Sequence, residues 1–71
     1  MNILIIDRNQ YRLSASEALD TLKNCYYSKV KVKSNGSQTQ ITCEGIDDFI
    51  LIVPACLDQE YIKTAQEYKG A

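Results

Sequence analysis

The stretch SKVKVKSNGSQTQITC, residues 28–43, restricts the fold more than any other part of the chain. Val30 and Val32 alternate with Lys29, Lys31 and Lys33 before Asn35-Gly36, and Thr39 and Ile41 alternate with Gln38, Gln40 and Thr42 after it. A period of two on both sides of a turn-forming pair predicts an antiparallel hairpin with one face buried. With Asn35 and Gly36 as the central residues of a type I′ turn, the expected pairs are Ser34/Ser37, Lys33/Gln38, Val32/Thr39, Lys31/Gln40, Val30/Ile41 and Lys29/Thr42. Val30, Val32 and Ile41 then share the core face, while the lysines share the other with Gln38 and Gln40. Continued backwards, the same alternation places Tyr27 with the lysines and Tyr26 with the core.

The flanking segments supply the other layers. Ile3 to Ile6 and Phe49 to Val53 are continuous apolar runs, which suit strands buried on both faces. Between the first of these and the hairpin, Ser14 and Glu17 have capping-box spacing. Ala15, Ala18, Leu19, Leu22 and Cys25 follow as one apolar stripe, with Glu17, Asp20 and Lys23 facing away. A second helix is expected after Pro54, with Asp58 as N-cap and Leu57 and Ile62 as a hydrophobic staple. Its inward stripe is Leu57, Tyr61, Ala65 and Tyr68, and Gly70 ends it.

These elements predict one small domain over residues 1–71, of α/β class bordering on α+β, in the order β-α-β-β-β-α. The expected sheet is four-stranded and mixed, ordered 3-2-1-4, with two helices. A chain of 71 residues buries only about 60% of its unfolded surface, and such a core supplies roughly 3–5 kcal/mol without a staple. The three cysteines form no CxxC pair and the chain has no histidine, so neither a metal site nor a cofactor is expected. Tight packing or self-association remains. The apolar strands are then covered either by the two helices on opposite faces or by helices on one face and a second copy on the other, and the need for a staple favours the second arrangement, a homodimer.

The first residues have neither a basic region nor an apolar run longer than four, so a cytosolic chain with reduced thiols and no membrane partner is expected. MNILIID is similar to the first strand of response-regulator receiver domains, and DDFILIVP resembles a later receiver strand. Asp7 is followed by Arg8 where receivers have a second acid, and no phospho-acceptor aspartate ends the later strand. No phosphotransfer function is therefore carried over.

Three places could carry function. The lysine face of the hairpin, Tyr27, Lys29, Lys31, Lys33, Gln38 and Gln40, is the first candidate for partner binding. A polar loop, Arg8, Asn9, Gln10, Tyr11 and Arg12, is the second, since arginines beside free helix amides suit an anionic group. Cys56, close to a helix start, is the third, as a thiolate nucleophile. Net charge is −1, yet residues 1–33 carry +3 and residues 34–71 carry −4, a polarity able to steer a charged partner. The lysines with Tyr27 suit weak binding to single-stranded nucleic acid, whereas a row of lysines also keeps a sheet edge from pairing with itself. The expected function is that of a non-enzymatic interaction module binding a larger macromolecule, a protein in the first place, of the kind that serves as a regulator or inhibitor in phages and mobile elements. The alternatives are a weak nucleic-acid binder and a thiol-dependent enzyme built on Cys56.

Overall fold

The computed structural model describes residues 2–5 and 15–70. The chain is an α+β fold in which two helices pack on a sheet whose main body is a three-stranded antiparallel meander. The elements are β1 (Asn2–Ile5), α1 (Ala15–Asn24), β2 (Lys29–Ser34), β3 (Gln38–Glu44), β4 (Phe49–Pro54) and α2 (Asp58–Tyr68), with a single 3₁₀ turn, Ala55–Leu57, before α2. β1 runs parallel to β4, so the sheet order is β1-β4-β3-β2.

That order corrects the expected 3-2-1-4. The expected arrangement needs residues 45–48 to carry the chain across three strand spacings, about 14 Å, which is all that four extended residues can reach. Those residues instead turn tightly. The Gly45 amide donates to Asp48 Oδ1 at 2.7 Å, and β4 returns directly beside β3. The long crossover belongs to the segment containing α1, which joins one edge of the sheet to the other.

The hairpin forms with its faces as expected and its register moved by two. The observed pairs are Lys29/Glu44, Val30/Cys43, Lys31/Thr42, Val32/Ile41, Lys33/Gln40 and Ser34/Thr39. Gly36 has φ of +97° and no other residue from Asn35 to Gln38 has positive φ, so the two central residues are Gly36 and Ser37, with glycine first as in a type II′ turn. Asn35 serves as the preceding residue instead. Its amide donates to the Gln38 carbonyl at 3.0 Å, and its Oδ1 accepts from the Gln38 amide at 3.1 Å.

One core holds the layers together. Ala18 and Leu22 of α1, Ile41 and Cys43 of β3, Phe49, Leu51 and Val53 of β4, and Tyr61 and Ala65 of α2 are all buried in one cluster with Tyr27. Leu19, Cys25, Val30 and Ile62 pack on its margin. The α1 stripe is thus as expected over Ala18–Cys25, while Ser14 lies outside the described residues. In α2 only Tyr61 and Ala65 of the expected stripe are buried. Leu57, in the 3₁₀ turn ahead of α2, and Tyr68, the last residue of α2, are exposed instead.

Asp58 is not the N-cap. Leu57 occupies that position, and Asp58, already helical, accepts the Thr39 hydroxyl on Oδ2 at 2.7 Å. Thr39 is fully buried, and its oxygen lies 3.0 Å from Ser34 Oγ, which completes a chain from β2 through β3 to α2.

Tyr27 locks the two helices to the sheet. Its hydroxyl lies 2.9 Å from the Leu22 carbonyl of α1 and 3.2 Å from the Ala65 carbonyl of α2, shared between them, and its ring meets Phe49 edge to face at 5.6 Å. The segment carrying it crosses the β3–β4 turn at Gly45, where an added Cβ would lie 2.9 Å from the Tyr26 carbonyl oxygen and 3.0 Å from the Ser28 nitrogen. Only glycine permits that approach. Asp47 closes the crossing, its amide donating to the Tyr26 carbonyl and its Oδ2 accepting from the Tyr26 amide.

Candidate functional site

Both helices lie on the side of the sheet that carries Thr39, Ile41 and Cys43, since the buried cluster draws its strand residues from that side alone. The opposite face is uncovered among the described residues. β-strand alternation and the observed register place Lys29, Lys31 and Lys33 of β2, Gln38, Gln40, Thr42 and Glu44 of β3, and Ile50 and Ile52 of β4 on it. In β1, positions 3 and 5 are in register with Ile50 and Ile52. The face therefore grades from cationic at β2 to apolar at β4.

The two-residue change of register alters the charge pattern. Lys29 stands opposite Glu44 rather than Thr42, and Lys31 Nζ lies 3.3 Å from Glu44 Oε1. With the Lys31 side chain 69% exposed, this pair contributes at most about 1 kcal/mol. Lys33 stands opposite Gln40, whose amide nitrogen is 3.4 Å from Thr42 Oγ1. At the hairpin end, Lys33, Asn35, Gln38, Gln40 and Ile52 line a depression of about 230 Å³. Gln38 and Gln40 thus share the lysine side as expected.

Tyr27 does not. It is 2% exposed and belongs to the core, while Tyr26 is 57% exposed, the reverse of the expected assignment. The reason is local: β2 begins at Lys29, and residues 25–28 form an irregular link in which strand alternation does not hold. The Ser28 amide bonds the Glu44 carbonyl at 2.8 Å, one residue out of step with the Lys29/Glu44 pair. A ring enclosed by Phe49 and two helices has no face on which a base could stack.

Arg8, Asn9, Gln10, Tyr11 and Arg12 lie outside the described residues. Cys56 is exposed in the 3₁₀ turn, and no base is hydrogen-bonded to its sulfur among the described residues. The other two thiols are held back from ionising: burial, with smaller contributions from Asp47 and Cys25 respectively, raises Cys25 and pushes Cys43 up to about 12. No group of three or more potential metal ligands occurs among the described residues.

Comparison with known protein families, with curated proteins and with solved structures finds no match to this chain.

What the sequence did not reveal is the apolar half of the open face. Ile50 and Ile52 sit in a run that reads as buried on both sides, yet in β4 only Phe49, Leu51 and Val53 are fully buried. Glu44 was equally hidden, because its place beside the lysines follows only from the register.

Proposed function

We propose that this protein is a small non-enzymatic interaction module that binds a larger protein through the uncovered face of its sheet. The observation that supports the reading is the placement of both helices on the other face. It leaves a cationic row and an apolar strip side by side on a rigid strand surface. Aligned charge gives such a surface orientation and association rate, and the isoleucines give it burial. A protein acting this way regulates or inhibits the machine it binds by occupying a surface. The same isoleucines suit a homodimer in which two open faces pack together.

Nucleic acid is the weaker occupant. With Tyr27 buried, three lysines act without an aromatic platform, and their neutralisation of phosphates gives a salt slope of roughly −2 to −3. Among the described residues, no helix is long and apolar enough to cross a membrane.

The test is capture of partners from native lysate by the tagged protein, with and without nuclease and at low and high salt. A stoichiometric protein that survives nuclease and is lost by the triple variant Lys29→Glu, Lys31→Glu, Lys33→Glu, with an unchanged circular dichroism spectrum, supports the reading. Recovery of nucleic acid alone, or a protein partner indifferent to the triple variant, overturns it.

A further inference from the structure

β2 is an edge strand, and the direction of its unpaired backbone groups can be read from one hydrogen bond. The Asn35 amide donates to the Gln38 carbonyl, so Asn35/Gln38 is a bonded pair of the antiparallel ladder. Bonded and non-bonded pairs alternate in such a ladder. Lys33/Gln40 and Lys31/Thr42 are then bonded pairs as well, and the lysine backbones turn inward to β3. The N–H and C=O groups of Val30, Val32 and Ser34 turn outward, and among the described residues nothing pairs with them. Val32, on the helix-covered side, is nonetheless 42% exposed, because the sheet stops beside it.

We propose that this edge accepts an extended acidic segment of a protein partner as an added strand, with carboxylates beside Lys29, Lys31 and Lys33 and apolar residues beside Val30 and Val32. The proposal rests on the interaction-module reading and names the chemistry of the partner. Strand addition supplies main-chain hydrogen bonds for affinity and alternate side chains for specificity. Here one alternation is cationic and the other aliphatic, so the complementary strand alternates acidic and aliphatic residues. A second copy is a poor occupant of this edge, since antiparallel β2–β2 pairing sets one lysine row beside another. The lysines thus exclude the wrong strands, including the chain's own, and admit the acidic one.

The probe is a capped six-residue peptide alternating glutamate and valine, titrated into the ¹⁵N-labelled protein, with a lysine–valine peptide as control. The expected result is that the amides of Val30, Val32 and Ser34 exchange at least tenfold more slowly on saturation with the acidic peptide, while those of Lys31 and Lys33 change little. Val32→Pro, which removes an outward N–H and is tolerated on an edge, should weaken binding at least tenfold without changing the circular dichroism spectrum. The lysine-to-glutamate triple variant should instead prefer the lysine–valine peptide. No binding of the acidic peptide, or shifts confined to Gln40, Thr42 and Ile52 with Val32→Pro binding as tightly as the parent, overturns the edge proposal. The broader reading is judged separately by lysate capture with Val32→Pro: a nuclease-resistant partner that this variant retains, and the lysine variant loses, leaves the face standing and removes the edge.

Discussion

Tyr27 shows how one residue can be misplaced by pattern and yet dominate the packing. Its phenol joins the carbonyls of α1 and α2, and its burial, with smaller contributions from Cys43 and Cys25, pushes its pKa up to about 12 from 10. Cys43, buried in the same cluster, is likewise pushed from 9.0 to about 12, chiefly by burial. Both groups ionise less readily folded than unfolded, so the unfolded chain loses its protons first as pH rises. Their contribution to stability is whole below the unfolded values, near pH 9 and 10, and is lost as pH climbs towards about 12. Urea unfolding followed from pH 7 to pH 11 should therefore show a midpoint that holds to about pH 9 and then falls. Tyr27→Phe should lower the plateau by about 1–2 kcal/mol, through the lost hydroxyl bonds, and make the alkaline fall shallower. A midpoint unchanged through pH 11 in the parent protein would contradict the burial of both groups.

Among the elements, the hairpin is tied to α2 by the chain Ser34–Thr39–Asp58. Thr39→Val keeps the shape, removes the donor to Asp58 and deprives Ser34 of its acceptor; urea denaturation should register a loss of about 1–2 kcal/mol. In the double variant with Asp58→Ala the two losses should fall short of additive, and strict additivity would mean that the bond carries no energy. This contact also shows where the sequence was legible. Alternation in residues 28–43 specified which side chains share a face, and a register change of two residues preserves every one of those assignments. For the same reason alternation could not distinguish Asn35-Gly36 from Gly36-Ser37 as the turn centre, so the lysine face was foreseen but its Glu44 partner was not. The helix stripe from Ala18 to Cys25 was legible because its period is sustained over two turns. Strand order was not carried by periodicity at all. It lay in the shortness of the Gly45–Asp48 link, a constraint of reach rather than of pattern.

At the scale of the whole molecule, the open face has two halves with different physics, and this separates the proposed homodimer from the proposed partner. Four strands about 4.8 Å apart and about six residues per strand make a face no more than roughly 20 Å on a side, below the lower bound of a stable interface even if all of it were used. Packing two complete faces symmetrically risks setting lysines against lysines, so self-association is best served by the Ile50 and Ile52 half alone. Such a dimer should be weak, with a dissociation constant in the micromolar range or above, and should barely respond to salt. Light scattering across a dilution series should then show mass rising from one chain to two with concentration, equally at 50 mM and 500 mM salt. Ile52→Lys should hold the protein at one chain. The lysine-to-glutamate triple variant should dimerise as the parent does, since its charges lie on the other half. Dimerisation that this variant abolishes would place the lysines inside the interface, and the cationic row would then be occupied by the chain's own copy rather than left free for a partner.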